Sequence, residues 1–292
     1  MNKPNHTNVL AVDGGGTRCR VALRTAGRVL TAETGSANVT SDFDGGVAQI
    51  MKALHALSER AGIGLDALAR YPAFVGLAGV TGPEIADRLR AALPFQILRV
   101  EDDRLAALRG ALGDREGAVA HSGTGSFYAA QIAGTARFSG GWGPVLGDEA
   151  SAQWVGRTAL RLTLEAVDGR AQMTALSETL LAQLGGAAGI VSFGRTARPP
   201  EFGALAPMVT QAAQENDPLG TRIMTDGASE IARSLSSIGW QPGLTICLTG
   251  GIAPQFQPYL PPEMQVDVAP AAGEPLSGAL ELACELATEM SS

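Results

Sequence analysis

Two short glycine-rich segments carry residues suited to binding phosphate. Asp13–Thr17 reads Asp-Gly-Gly-Gly-Thr after an apolar strand, and Ser122–Ser126 reads Ser-Gly-Thr-Gly-Ser. Glycine lets successive backbone N–H groups face a phosphate without an intervening Cβ, and the hydroxyls of Thr17 and Thr124 add donors. Asp13, at the end of a strand, is predicted to hold hydrated Mg²⁺. Neither segment matches the Walker or the Rossmann pattern, and each alone is also compatible with an ordinary hairpin turn.

A pair of carboxylates, Asp102 and Asp103, lies between a predicted buried strand and a predicted helix. At this position either residue can cap the helix, because the helix dipole favours an anion at its N-terminus. Either can instead accept a proton from a hydroxyl group, and Asp103 is the better candidate for this role. Both interpretations stay open at the sequence level.

A third segment, Gly140–Gly156, places Trp142 between glycines and follows it with Asp148 and Glu149. An aromatic face and a carboxylate are the groups that a sugar ring and its hydroxyls require. Asp148 and Glu149 are expected at the start of a helix, and the alternative is that they only cap it, with Trp142 in the core.

A fourth segment, Thr249-Gly250-Gly251, follows an apolar strand. Its flat glycine backbone has room for adenine and ribose. The alternative is a common glycine turn that opens a helix.

The elements that position these residues follow from hydrophobic periodicity and turn residues. The N-terminal part is predicted to have the order βββαβαβα. Its strands are VLAV, 18–24, one that ends near Glu33, AFVGLAGV and FQILRVED, and its helices are 45–61, 83–93 and 103–112.

The first strand–turn–strand–turn–strand pattern recurs about a hundred residues later. LAVDGGGTRCRVALRTAGRVL is echoed by AVAHSGTGSFYAAQIAGTARF. This self-similarity predicts an α/β protein with two duplicated lobes, each of which presents a glycine turn to one shared interlobe cleft. In the second lobe we expect helices over 148–167, 171–184, 200–214 and 218–238, a loop or helix-to-helix connection over 185–200, the strand LTICLTGG, a short strand near Val266 and a helix over 276–290.

Composition excludes several classes of function. The formal net charge is -7 and the Lys and Arg residues are scattered, so a nucleic-acid partner is not expected. No stretch has the length and apolarity of a membrane span and the N-terminus is polar, which predicts a cytoplasmic protein. Cys19, Cys247 and Cys284 are too widely spaced for a disulfide framework or a metal motif.

Taken in order, DGGGT, VEDD, SGTGS, GGWGPVLGDE, LTGGIA and EPLSGAL resemble the N-acetylglucosamine kinase branch of the BadF/BadG/BcrA/BcrD ATPase family. This family belongs to the sugar kinase, Hsp70 and actin superfamily, and the likeness runs from about Val9 to Leu282. It implies two actin-like (ribonuclease H-like) ATPase lobes, 1–117 and 118–275, with the closing helix 276–292 returning to the first lobe.

The same resemblance implies an ATP- and Mg²⁺-dependent kinase of N-acetylglucosamine or glucosamine, in the form of a homodimer, with Asp103 as the base. The residues implied to contact ATP are Gly15, Gly16, Thr17, Gly123, Thr124, Gly250 and Gly251. Those implied to contact the sugar are Asn38, Asp103, Ser126, Gly141, Trp142 and Asp148.

Three features depart from the family's kinases: Asp102 stands where Asn is frequent, and Phe127 stands where a polar residue is expected. Asn38 is followed by Val39 and Thr40, without the aromatic residue seen in some amino-sugar kinases. The identity of the acceptor therefore stays open. Two other functions stay open too: an ATPase that activates a radical dehydratase, for which clustered thiolates are required, and a sensor without catalysis.

Overall fold

The computed structural model describes residues 8–40 and 42–290, and its contacts divide the chain into two compact units. The first is Met1–Arg115 with Ala271–Ser292, and the second is Glu116–Pro270. The described strands are β1 Val9–Gly14, β2 Cys19–Thr25, β3 Arg28–Thr34, β4 Ala73–Leu77, β5 Leu98–Asp102, β6 Gly117–Ser122, β7 Ser126–Ile132, β8 Thr135–Gly140 and β9 Thr245–Thr249.

The described α-helices are α1 Phe43–Ala61, α2 Leu65–Leu68, α3 Pro83–Ala92, α4 Asp103–Leu112, α5 Ala152–Val167, α6 Ala175–Leu184, α7 Gly186–Thr196, α8 Pro199–Gly203, α9 Ala206–Gln214, α10 Pro218–Ser237, α11 Pro262–Gln265 and α12 Pro275–Glu289. A 3₁₀ helix, Ala253–Tyr259, follows β9.

The first unit is built on a five-stranded sheet in the order β3-β2-β1-β4-β5. β1 is antiparallel to β2, and the pairing sets Asp13 opposite Arg20. β1, β4 and β5 are mutually parallel. Because parallel strands end at the same edge of a sheet, Asp13 near the end of β1 and Asp103 just after β5 are brought to one edge, where the charge of Asp13 helps to raise the pKa of Asp103.

Helices cover both faces of this sheet. On one face, α1, α2 and α3 bury Ile50, Leu68 and Leu89 against strand residues. On the other, α4 and α12 pack over Val9 and Phe74. The parallel strands are therefore buried on both faces, as expected for an α/β unit.

Two glycines let α4 and α12 approach closely. A Cβ on Gly278 would lie 2.1 Å from the carbonyl oxygen of Ala106, and one on Gly110 would lie 2.3 Å from that of Glu274. The backbone contact therefore requires glycine at both positions.

The second unit repeats the plan with a four-stranded sheet in the order β8-β7-β6-β9. β9 pairs parallel with β6, and a single parallel bridge joins Ile246 to Val268 at the edge. The core forms between the sheet and helices α5, α6, α7, α9 and α10, with Phe256 of the 3₁₀ helix fully buried in it. The predicted mixed α/β fold with a repeated meander is confirmed.

Several predicted elements of the second unit are wrong. Helix α5 begins at Ala152 instead of Asp148, because Asp148 (φ 62°) and Ala150 (φ 60°) are left-handed and Ser151 caps the helix through the backbone N–H of Trp154. The segment after Gly185 is helix α7, which buries Ile190 in the core.

Two smaller differences follow later in the same unit. The helix expected over 200–214 is two helices, α8 and α9. The strand expected near Val266 is reduced to the bridge at Val268, with Val266 itself in a turn.

Within the described residues, no single helix has the length and apolarity to cross a membrane, although the bent pair α6 and α7 passes a test of length and composition when taken together.

Candidate active site

The Asp13–Thr17 segment forms the turn between β1 and β2, closed by a hydrogen bond of 2.9 Å from the Gly15 N–H to the carbonyl of Arg18. A Cβ on Gly14 would clash with Leu77, at 2.4 Å. A Cβ on Gly15 or Gly16 would meet no described atom within 4 Å, and neither residue has a left-handed φ. Packing within the described chain therefore requires glycine only at Gly14, and the open space over the next two residues suits an external ligand.

The loop that carries Asn38 is attached to this turn. The Ala37 N–H donates to the carbonyl of Gly15 at 3.1 Å. Asn38 is partly buried, and its Oδ1 accepts from the Thr40 N–H at 3.0 Å. The predicted phosphate turn and the predicted sugar residue of the first unit are thus neighbours.

Asp13 is held by Arg20. Both Nε and Nη2 of Arg20 donate to Asp13 Oδ2, at 3.2 and 2.7 Å, and Nη1 of Arg20 pairs with the Glu274 carboxylate. Burial raises the pKa of Asp13, and the neighbouring Arg20 opposes that rise. Among the described atoms, Asp13 Oδ1 has no hydrogen-bond partner. A carboxylate oxygen left unbonded beside an open turn is the hard donor that Mg²⁺ or its water requires, so the residues fit this ion.

The two acidic residues after β5 differ in their contacts. Asp102 is the N-cap of α4: its Oδ1 accepts from the N–H of Arg104 at 2.9 Å and from the Nε of the same residue at 2.6 Å. Asp103 is partly buried, and its pKa is raised to about 7 by desolvation first and then by the charges of Asp102 and Asp13. Capping therefore occupies Asp102, while Asp103 has the pKa suited to a general base near neutral pH.

In the second unit, Ser122–Ser126 forms the turn between β6 and β7. The Gly123 N–H donates to the carbonyl of Gly125, at 2.9 Å, and the Gly123 carbonyl accepts from the N–H of Ala152, at 2.8 Å. The side chain of Thr124 is exposed. The turn is therefore anchored to the start of α5 and presents Thr124 to ligand.

The Thr249-Gly250-Gly251 turn packs against this segment. Gly250 is left-handed (φ 86°), and a Cβ there would lie 2.3 Å from the Ser122 carbonyl oxygen. That carbonyl also accepts from the N–H of Ile252, at 3.1 Å. A Cβ on Gly251 would meet no described atom within 4 Å. The structure thus brings together the predicted phosphate and adenosine turns of this unit.

A side-chain link joins the strands below the two turns. Nδ1 of His121 lies 3.1 Å from Oγ1 of Thr249, and its ring stacks on Phe127 with centroids 4.9 Å apart. Burial lowers the pKa of His121 to about 4, so the imidazole is neutral at physiological pH. His121 therefore holds the two turns together as an uncharged group.

Asp148 lies under the Gly125–Ser126 backbone. It is buried, and its Oδ1 accepts from the Ser126 N–H at 3.3 Å. Burial raises its pKa. The Ser126 hydroxyl donates to the carbonyl of Glu149, at 2.6 Å, so its proton is already committed within the protein.

The loop before Asp148 is tied back to the same hairpin. The Gly141 N–H donates to the carbonyl of Ser126 at 3.0 Å. Trp142 is 69% exposed, which excludes the core position that the sequence had left open. Its indole ring is available to an external ligand.

A cavity of about 330 Å³ opens beside the 3₁₀ helix that follows the glycine turn. The amide of Gln214 donates to that of Gln255, at 3.1 Å, within its lining. The lining residues are Thr210, Ala213, Gln214, Asn216, Met224, Pro254, Gln255, Pro258 and Tyr259. Sequence reasoning missed this cavity, because its walls come from three helices that no local motif relates.

Arg20 was also missed. The signal was present in the hairpin register, since a turn closed between Gly15 and Arg18 sets Asp13 opposite Arg20. A basic residue directly across a strand pair from an acidic one is a favourable cross-strand pair.

The model of the BadF/BadG/BcrA/BcrD ATPase family matches residues 10–283. The chain belongs to the BadF/BadG/BcrA/BcrD ATPase family. This membership implies ATP as the nucleotide.

Proteins named as kinases, or proposed kinases, of amino sugars are similar to this chain over most of their length. The glucosamine kinase GspK of Vibrio cholerae is 27% identical over 278 residues, covering 94% of this chain and 95% of the relative. An N-acetylmuramic acid/N-acetylglucosamine kinase of Clostridium acetobutylicum is 28% identical over 79% of this chain and 78% of its own. The crystal structure of a proposed N-acetylglucosamine kinase from Chromobacterium violaceum has a TM-score of 0.83 and 30% identity, covering 96% of this chain and all of that one.

Proposed function

We propose that this family member is an ATP-dependent kinase that transfers the γ-phosphoryl group to a hydroxyl of an amino sugar, N-acetylglucosamine or glucosamine. The observation that carries the proposal is Asp103, a carboxylate that helix capping leaves available and whose pKa is raised to about 7. Similarity to kinases of amino sugars over 94% and 79% of the chain, at 27% and 28% identity, supports it.

In this proposal the two glycine turns bind ATP. Backbone N–H groups and threonine hydroxyls donate to phosphate oxygens, and the open space over the glycines accommodates them. The residues assigned to this role are Gly15, Gly16, Thr17, Gly123 and Thr124, with Gly250 and Gly251 at the adenosine.

Asp13 would hold Mg²⁺ through water, by the oxygen that Arg20 leaves unbonded. When bound, the ion neutralises charge on the phosphates during transfer.

We assign the cavity beside the 3₁₀ helix to the adenine base. Its volume of about 330 Å³ lies at the small end of ligand pockets, and its wall begins three residues after Gly251. Gln214 and Gln255 each offer a donor and an acceptor to the edge of a purine.

The acceptor would be held by Asn38, Ser126, Gly141, Trp142 and Asp148. The exposed indole of Trp142 would cover the apolar face of the sugar ring, and the Asp148 carboxylate would accept hydrogen bonds from its hydroxyls. Because the Ser126 hydroxyl donates to Glu149, it can only accept from the sugar.

In the chemical step, the Asp103 carboxylate accepts the proton of the attacking hydroxyl. The hydroxyl oxygen forms a bond to the γ-phosphorus while the bond from that phosphorus to the β-bridging oxygen breaks, and ADP leaves. Asp103 is then neutral and returns its proton to solvent. A cytoplasmic location and a homodimer belong to the same proposal, and light scattering of the purified chain tests the dimer.

The proposal is tested by ADP release with ATP and Mg²⁺ across glucosamine, N-acetylglucosamine, glucose, N-acetylmannosamine and no acceptor. We expect release that depends on one amino sugar and falls by about 10²–10⁴-fold in Asp103→Ala. Asp102→Ala is the matched control: it removes the cap and about 1 kcal/mol of stability but leaves turnover within a few-fold.

Other outcomes identify other functions. Release that is independent of acceptor would favour the ATPase activator, and nucleotide or sugar binding without release would favour a sensor.

A further inference from the structure

A largely buried arginine beside Asp13, Arg20, has no direct part in the proposed reaction. Arg20 lies on β2, directly opposite Asp13 on β1. Its side chain is 13% exposed and that of Asp13 is 15% exposed, so water screens the pair little. Burying a guanidinium group costs free energy unless its N–H groups are hydrogen-bonded.

The contacts of Arg20 with Asp13 are one-sided. Nε and Nη2 both donate to Oδ2, at 3.2 and 2.7 Å, and no described atom hydrogen-bonds to Oδ1. An arginine that only neutralised a carboxylate would be expected to make the bidentate pairing, with one bond to each oxygen. The observed geometry instead fixes the carboxylate rotation and leaves one oxygen available.

The remaining guanidinium nitrogen, Nη1, fixes the position of Arg20 itself. Nη1 pairs with the carboxylate of Glu274, the residue before α12. Arg20 is therefore held between two acidic side chains, and the planar guanidinium is the group that can make both contacts in a fixed geometry. A lysine ammonium at this position would keep the charge without fixing the carboxylate plane.

We propose that Arg20 is a positioning residue that orients Asp13 for Mg²⁺: it occupies Oδ2 and so directs Oδ1 to the water of the metal. Arg20 contacts neither metal nor nucleotide in this proposal. The inference rests on the proposed function, because it takes Asp13 as the group that holds Mg²⁺. It predicts that the metal dependence of nucleotide binding is set by a residue outside the coordination shell.

The chain offers a matched control on the same strand. Arg24 is also on β2 and pairs with Glu281 of α12 at 2.6 Å, but no contact between described atoms joins it to Asp13. Arg20→Lys and Arg24→Lys therefore each weaken one arginine–glutamate contact between β2 and the last helix, while only the first changes the partner of Asp13.

The experiment measures ADP binding by calorimetry at a series of Mg²⁺ concentrations, without acceptor. We expect Arg20→Lys to raise the Mg²⁺ concentration for half-maximal tightening of ADP binding by about 10-fold or more, the effect of losing an outer-shell partner of a metal ligand. Affinity for ADP in EDTA should stay within about twofold of wild type, which also verifies folding, and Arg24→Lys should match wild type throughout.

A double variant separates positioning from a direct role. In an Asp13→Asn background, Arg20→Lys should change the Mg²⁺ dependence no further, because the residue acts through Asp13. An unchanged Mg²⁺ dependence in Arg20→Lys, an equal change in Arg24→Lys, or a further change in the Asp13→Asn background would overturn the inference.

Failure of the proposed function has a different signature. If the wild-type chain releases no ADP with any amino sugar while the Mg²⁺ dependence of ADP binding follows Arg20 as expected, the kinase proposal fails and the role of Arg20 stands.

Discussion

Asp103 is the residue whose environment determines how the proposed reaction depends on pH. Desolvation, with the charges of Asp102 and Asp13, raises its pKa to about 7. A base must be deprotonated to act, so we expect kcat/KM to rise as pH increases through about 7 and to level off above it. The measurement is the initial rate from pH 5.5 to 9 at saturating Mg²⁺ and ATP, with sugar below its KM.

Asp102→Asn serves as a probe of the same assignment. It removes the negative charge of Asp102, which after desolvation contributes most to the raised pKa of Asp103, so the rising limb of the profile should move to lower pH. A profile that is flat from pH 5.5 to 9 in both proteins would contradict the role of Asp103 as base.

The raised pKa of Asp103 also makes stability depend on pH. The direction of this dependence is opposite to that of an ordinary ion-paired carboxylate. Between about pH 4 and 7 the folded protein holds a proton on Asp103 that the unfolded chain has lost, so the contribution of this group to stability falls as pH rises through that window. We therefore expect Asp103→Asn, which cannot ionise, to be more stable than wild type at pH 8, by on the order of 1–3 kcal/mol after allowance for partial exposure.

Urea unfolding at pH 8 and at pH 4 provides the measurement. The difference between variant and wild type should shrink at the lower pH, where both side chains are neutral. A variant that is less stable than wild type at pH 8 would show that the Asp103 carboxylate has a compensating partner.

Individual residues also show where sequence reasoning succeeded and where it could not. The choice between Asp102 and Asp103 stayed open because both carboxylates occupy a helix start, and only the contact with Arg104 separates them. The position of Trp142 likewise depended on exposure, which a motif does not specify. Roles that depend on a partner distant in sequence, such as Glu274 beside Arg20, have no local signal.

At the scale of elements, the Gly250 turn offers a contrast between two adjacent glycines. Gly250→Ala places a Cβ 2.3 Å from the Ser122 carbonyl in a left-handed residue, whereas Gly251→Ala enters open space. We expect Gly250→Ala to lower the free energy of unfolding by about 2–4 kcal/mol and Gly251→Ala to change it by less than about 1 kcal/mol.

Nucleotide binding, unlike stability, should be sensitive to substitution of Gly251. Its Cβ would project into the space that we assign to adenosine, so Gly251→Ala should weaken ATP binding in a protein of near-normal stability. Thermal unfolding and calorimetric titration of both variants check the pair, and equal stability of the two would contradict the observed packing.

The crossing of α4 and α12 gives a second prediction at this scale. Gly278→Ala would place a Cβ 2.1 Å from the Ala106 carbonyl and separate the two helices. We expect a loss of about 2–4 kcal/mol. Gly194→Ala on α7 is the control, because its Cβ would meet no described atom within 4 Å and alanine is the better helix former, so stability should rise slightly.

The elements of the first unit were predicted almost completely, and those of the second less well. Strong periodicity and clear turn residues mark β1 to β5, α1, α3 and α4. Helix α7 is rich in glycine and alanine and forms because Ile190 packs into the core, which overrides weak local propensity. The start of α5 was misplaced because left-handed Asp148 and Ala150 break a pattern that reads as helical.

At the scale of the whole molecule, the two units have separate cores. A core substitution in one unit should therefore destabilise mainly that unit. Leu280 of α12 is buried against the first sheet, and Val209 of α9 is buried in the core of the second unit. We expect Leu280→Ala and Val209→Ala each to cost about 2–4 kcal/mol, with faster hydrogen exchange in β1 and β4 for the first and in β6 and β9 for the second.

Hydrogen exchange with mass spectrometry measures this difference directly. Equal acceleration in all four strands for either variant would show that the units open as one cooperative body and would contradict separate cores.

The return of the chain to the first unit has a consequence for biosynthesis. The sheet β1 to β5 leaves the ribosome early, but α12, which packs over Val9 and Phe74, is made only after the second unit. Only α4 covers part of that apolar face of the sheet while the whole second unit is translated, and the part that α12 will cover stays exposed. A nascent chain stalled before Pro275 should bind chaperones through this face and release them once α12 emerges.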